Sequence, residues 1–146
     1  MPKLDTDPPV ASLIFVLKRT PEAMVVRAIG EVDLATIPML WSNLKTLLED
    51  HLNVVVDLTG IEYIDSAGMH ALLDAHRLFT QCGQQLALAE PSRIFRMLLR
   101  EIVGFERPIP LFVSVAAALV SFRSPAVLSP APRYEPAQAA RDLTAV

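Results

Sequence analysis

The run Val54-Val55-Val56 is β-branched throughout and has no polar alternation, which fits a strand covered on both faces. It ends at Asp57. A helical pattern then opens at Ser66, after the segment Asp57-Leu58-Thr59-Gly60-Ile61-Glu62-Tyr63-Ile64-Asp65. The chain is thus delivered from a buried strand to a helix N-terminus, with Ser66 at that start. A first helical turn has unpaired N–H groups and the positive end of the macrodipole, so it tolerates a phosphate well. Ser66 therefore reads as a switchable hydroxyl rather than a catalytic one.

The rest of the chain repeats the alternation. Ser12 to Lys18 and Met24 to Ile29 are β-rich runs around Arg19-Thr20-Pro21-Glu22, which predicts a hairpin. Gly30-Glu31-Val32-Asp33 closes the second strand. Thr36 is the expected N-cap of a helix with Pro38 in its first turn and Leu40, Leu44, Leu47 and Leu48 on one stripe, Trp41 beside them. The Ser66 helix carries Met69, Leu72, Leu73, His76 and Phe79 at helical intervals and stops at Gly83. Leu86-Ala87-Leu88-Ala89 reads as a short buried strand. Pro91-Ser92 opens a helix with Ile94, Phe95, Leu98, Leu99 and Ile102 as its apolar stripe and Gly104 as its end. Ile109 to Phe112 and Val115 to Val120 close the pattern as a strand and a helix. Strands alternating with helices imply a largely parallel sheet, because parallel neighbours need crossovers. The hairpin adds an antiparallel edge.

Residues 1–11 are expected to form a loose segment, 12–122 the domain, and 123–146 a flexible tail rich in Pro and Ala. No apolar run reaches the ~18 residues of a membrane span; the longest, Leu111 to Phe122, is broken by Ser114 and Ser121. The polar N-terminus has no signal-peptide core. The single Cys82 cannot form an internal disulfide, which fits a reducing compartment, so the expected location is the cytoplasm. Net charge is −3 with no Lys/Arg run, giving nucleic-acid binding little electrostatic support. Arg93, Arg96, Arg100 and Arg107 form a local basic group, the first three on one helical face. They read either as a solvated face or as a docking patch for an acidic surface.

Other chemistry is poorly supported. A nucleophile elbow would need Gly where Ile64 stands. His70 and His76 do not share a helical face, so neither a metal site nor a cofactor is expected. No Gly-rich phosphate loop with its Lys is present. Cys82 is expected to pack near a helix end, with nothing nearby to lower its pKa.

Several spaced blocks together resemble one known family: Gly30-Glu31-Val32-Asp33, Val54-Val55-Val56-Asp57-Leu58-Thr59-Gly60, Ile64-Asp65-Ser66-Ala67-Gly68, Gly83, Leu86-Ala87-Leu88, Pro91-Ser92 and Val103-Gly104-Phe105. The chain is similar, over about residues 12–120, to the STAS domain in its bacterial branch of anti-sigma factor antagonists. That resemblance implies an α/β fold: a single domain with a mostly parallel sheet, an antiparallel edge hairpin and about four helices packed mainly on one face. It implies a non-enzymatic partner switch, in which the antagonist binds an anti-sigma factor with a histidine-kinase-like ATPase fold and frees a sigma factor. The anti-sigma factor then phosphorylates the serine of the Asp-Ser pair, and a PP2C-type phosphatase resets it. Ser66 is the implied phosphoacceptor. Asp33, Thr59, Asp65, Ser66, Ala67, Gly68, Met69 and His70 are the implied partner-binding set. Ala67 stands where the family often has a second Ser, and His70 where a small residue is common.

Three alternatives stand beside these roles. Ser66 also fits as a helix cap, unmodified serine capping and modified serine switching. Thr59, in the loop expected between Asp57 and Ser66, fits as a turn-forming hydroxyl, and Asp33 as a solvated loop acid. At the level of the whole protein, the same fold also suits a non-phosphorylated scaffold or ligand-binding component of a transport or stress-sensing complex.

Overall fold

A computed structural model describes residues 12–103 and 110–123. The order of elements is β1 (Leu13–Arg19), β2 (Met24–Val32), α1 (Ile37–Glu49), β3 (Val54–Asp57), β4 (Ile61–Ile64), α2 (Ser66–Gln81), β5 (Leu86–Ala89), α3 (Arg93–Val103), β6 (Leu111–Phe112) and α4 (Val115–Ser121). The six strands form one sheet in the order β1-β2-β3-β5-β6, with β4 beside β2. Among the described residues, the β1–β2 pair is antiparallel and every other pair is parallel. The expected mixed sheet with an edge hairpin is the sheet observed. Its turn is held by Thr20, whose hydroxyl donates to the Ala23 carbonyl at 2.7 Å and accepts from the Ala23 N–H at 3.0 Å.

Side-chain alternation sorts the central strands between two layers. Val54, Val56, Leu86 and Leu88 join α1 and α2 in the larger cluster. Val55, Ala87 and Ala89 face the other way and meet Ala118 of α4. Three helices therefore cover one face and α4 the other. The Leu40, Leu44, Leu47 and Leu48 stripe and Trp41 are buried as expected, as are Met69, Leu72, Leu73 and Phe79. His76 is half-buried on the same helix, with its Nδ1 2.9 Å from the Leu86 carbonyl. Burial holds its pKa below the ordinary 6.5, the Leu86 bond opposing and Arg77 adding to the depression. The Leu86 carbonyl can only accept, so Nδ1 is the donor.

Four expectations need correction. The segment after Asp57 is not all loop, because Ile61–Ile64 forms β4. β3 pairs only with Met24–Arg27 of β2, so the same side of β2 stays unpaired from Gly30 to Val32 until β4 takes it. Thr36 stands at the cap position of α1, but its hydroxyl makes no cap bond. It donates instead to the Glu31 carbonyl at 2.7 Å, tying the turn back to β2. Ile94 is not in the apolar stripe: it is 67% exposed, and Phe95 is the buried residue of α3's first turn. Finally, the second strand does not stop at Ile29 but continues through Val32. The 1–11 segment, Gly104, Phe105, Arg107, Ile109 and the 124–146 part of the tail lie outside the described residues, as does the Ile102 side chain. Arg123, the first residue of the expected tail, is paired with Glu22 at 2.9 Å.

Candidate functional site at the start of α2

Asp65, not Ser66, caps α2. It is extended (φ −107°, ψ −175°), and its Oδ1 accepts from the Gly68 N–H at 2.8 Å. Its carbonyl accepts from Met69 N–H at 2.9 Å, the first bond of the helix. Ser66 is consequently the first helical residue. Its side chain is exposed and, among the described residues, its hydroxyl is held by no other group. The expectation that the unmodified serine caps the helix is overturned: the capping bond is already made by the aspartate one residue earlier, which has the longer reach of a carboxylate.

The helix start is fixed against β2. The Asp65 N–H donates to the Val32 carbonyl at 3.3 Å. A Cβ on Gly68 would overlap that same carbonyl and meet Val32 Cγ1 at 2.8 Å, so the first turn sits closer to the strand than any other residue permits. Met69 is 0% exposed in the core. Gly68 and Met69, both implied as partner contacts, are therefore buried supports of the site, because they face β2 and the core rather than solvent. Of the rest, Ser66, Thr59 and His70 are exposed, while Asp33, Asp65 and Ala67 are half-buried.

Asp33 follows Val32 directly, so the end of β2 brings it to the same rim as Asp65. It is not a solvated loop acid. Its Oδ1 accepts from the N–H groups of Ala35 (3.0 Å) and Thr36 (3.2 Å), organising the β2–α1 turn. Thr59 is not brought beside Ser66. The length of β4, about 13 Å at the rise of a strand, lies between them. The Thr59 hydroxyl donates to Asp57 Oδ1 at 2.7 Å and its N–H does so at 3.0 Å, the work of a turn.

Two features of this rim were missed by residue-type reasoning. Leu34, in the turn after Asp33, is 76% exposed. An apolar residue between Asp33 and Ala35 in a short polar turn was the available signal. Tyr63, Ile61, Ile64, Ile94 and Phe95, with Glu62 and Ser92 as polar members, line a cleft of about 340 Å³ between β4 and α3. That cleft had no sequence signal, since β4 itself was unread. On the outer side of α3, Arg93, Arg96 and Arg100 are exposed beside Met97.

The free thiol does not belong to this site. Cys82 is half-buried at the C-terminal end of α2, where burial pushes its thiol pKa up and quiets it. Among the described residues, no three His, Cys, Asp or Glu side chains gather as a metal site, and no helix is long and apolar enough to cross a membrane.

The sequence matches the STAS domain family over residues 15–118. No curated protein matches it. Among solved structures, an anti-sigma factor antagonist from Mycobacterium paratuberculosis is similar with a TM-score of 0.66 at 20% identity, covering 77% of this chain and 96% of that one. The Bacillus cell fate determinant SpoIIAA in its phosphorylated form gives 0.58 at 20%, covering 75% and 100%. An anti-sigma-factor antagonist (STAS) domain protein from Planctomyces limnophilus gives 0.61 at 14%, covering 75% and 98%. At these identities the structural likeness is one of fold, while the sequence match extends over most of the chain. The chain belongs to the STAS domain family.

Proposed function

We propose that the chain is an anti-sigma factor antagonist that acts by binding, in the cytoplasm, and is switched off by phosphorylation of Ser66. The observation that supports this best is the division of labour at the start of α2: Asp65 makes the capping bond, so the exposed Ser66 hydroxyl is available for another use. The binding partner in this reading is an anti-sigma factor with a histidine-kinase-like ATPase fold, whose sequestration frees a sigma factor. Asp33, Asp65, Ser66, Ala67 and His70 form the contact rim, with exposed Leu34 beside it. Thr59 stands at its margin.

The chemistry is simple. The partner transfers the γ-phosphoryl group of ATP to Ser66 Oγ, leaving ADP and releasing the hydroxyl proton. The product carries about −1.5 to −2 charges and three acceptor oxygens. The helix dipole and the free first-turn N–H groups stabilise that charge, so the domain stays folded. A partner surface shaped for a neutral hydroxyl must instead desolvate a phosphate beside the Asp65 carboxylate. A cost of several kcal/mol lowers affinity by orders of magnitude, at 1.4 kcal/mol per tenfold. A PP2C-type phosphatase restores the serine.

Paired pull-downs with Ser66→Ala and Ser66→Asp baits test this reading. A histidine-kinase-like ATPase retained on the Ala bait and lost from the Asp bait is the expected result. Identical partners on both baits overturn it. Because Asp65 holds the cap, Ser66→Ala changes the hydroxyl without removing the helix's own support.

A further inference from the structure

The basic group on α3 has no part in the function proposed above. Phe95 turns that helix into the core, with Leu98 and Leu99 half-buried beside it. The opposite side is exposed. At about 100° per residue it runs, around the helix, in the order Arg96, Arg100, Arg93, Met97, Glu101 and Ile94. The three arginines thus make one stripe along about 10 Å of helix. Met97, 53% exposed, stands beside it, and Ile94 lies further round, on the side of the cleft to β4.

Helix physics opposes this arrangement. Arg93 and Arg96 are three apart and Arg96 and Arg100 four apart, so like charges are neighbours on the helix surface. Arg93 is the first helical residue, where the macrodipole disfavours a cation; Arg100, in the last turn, suits it. On α2 the exposed Arg77 is paired with Asp74 at 3.1 Å. Among the described residues no carboxylate pairs with Arg93, Arg96 or Arg100. Glu90 precedes the helix, Glu62 lines the cleft, and Glu101 is separated from the stripe by Met97.

We infer that this stripe docks an acidic segment of a partner protein, its carboxylates on the three guanidinium groups and an apolar side chain on Met97. All three cations are arginine, whose planar fork holds a carboxylate through two parallel hydrogen bonds. Arginine and methionine are also enriched in protein interfaces. A lipid surface or a nucleic acid fits less well. Each spreads its phosphates wider than one helix, over Glu62, Glu90 and Glu101 and against a net charge of −3. A segment as narrow as the stripe meets the arginines alone. The inference does not rest on the role of Ser66.

Fluorescence anisotropy of the full chain with a labelled acidic peptide is the test. The probe is an amphipathic helix with Glu at i, i+3 and i+7 and Leu at i+4. Saturable binding that weakens with added salt is expected, and none to the same peptide with Gln in place of Glu. Arg96→Glu and Arg100→Glu are each expected to lower affinity tenfold or more. Arg27→Glu makes the same change in net charge at an exposed position on the sheet and is expected to stay within twofold. Arg93→Glu is expected to lose binding yet melt no lower than wild type, since it relieves the helix. No binding of the acidic peptide overturns the inference. So does equal weakening by Arg27→Glu and Arg96→Glu, which would mean attraction without a site. A lower melting temperature for Arg93→Glu overturns it by giving the stripe to the fold. Flotation with vesicles of phosphatidylcholine and phosphatidylglycerol, if abolished by Arg96→Glu, overturns it in favour of a membrane.

Discussion

Helices α2 and α4 begin with the same backbone geometry and opposite uses of serine. Each cap residue is extended, and each cap side chain accepts from the N–H three residues on: Asp65 from Gly68, Ser114 from Ala117. At α4 the serine is itself the cap and its oxygen is engaged. The same holds at α3, where Ser92 Oγ accepts from Phe95 N–H at 3.0 Å. At α2 an aspartate takes that bond and the serine follows it by one place. A shift of one residue decides whether a hydroxyl at a helix start is engaged or free. The position three after the cap differs as well. It is glycine where α2 presses on β2 and alanine where α4 has room.

The largest effect that bears on this contrast is steric. Gly68→Val forces side-chain atoms into the Val32 carbonyl and costs about 3 kcal/mol by urea denaturation. If it is neutral, the close approach of α2 to β2 is wrong. Next come the caps: Asp65→Ala and Ser114→Ala each lower stability by about 1 kcal/mol. Equal losses would show that the two residues do the same work. A loss for Ser66→Ala matching that of Asp65→Ala would break the contrast altogether.

Smaller again is a pH effect on the body of α2. Its depressed pKa means that His76 is protonated in the unfolded chain before the folded one as pH drops below 6.5. The unfolded state then binds more protons, so stability falls with pH from 6.5 down to the lower folded value and is fully present above 6.5. Thermal melts between pH 7 and pH 5 will show this slope in the wild type and a shallower one in His76→Gln. The smallest expected change is that of Ser66→Ala, within about 0.5 kcal/mol, because no native contact of the hydroxyl is lost.

Much of the fold was legible because burial leaves a periodic trace. Val54-Val55-Val56 and Leu86-Ala87-Leu88-Ala89 lack alternation because helices cover both sides of them. The α1 stripe was legible because a helix with one buried face repeats near 3.6 residues. β4 escaped because, of its four residues, only Ile64 is fully buried. Its strand character comes from a vacancy on β2 that no local pattern records. Ile94 was misread since it and Phe95 are neighbours on α3, and only the packing of that helix tells which one turns inward.

At the candidate site, the strand-to-helix pattern identified Ser66 and the helix start, and the family resemblance singled out the Asp65-Ser66 pair. These depend on periodicity and helix-terminus chemistry within a few residues, so sequence by itself determined them; that Gly68 lets the helix approach β2 was not legible there. Tertiary structure decided which of the two residues makes the cap, that Met69 faces the core, that Thr59 stands a strand away, and that Leu34 is left in solvent. Those outcomes depend on where β2 and β4 lie relative to α2, and long-range contacts set that placement.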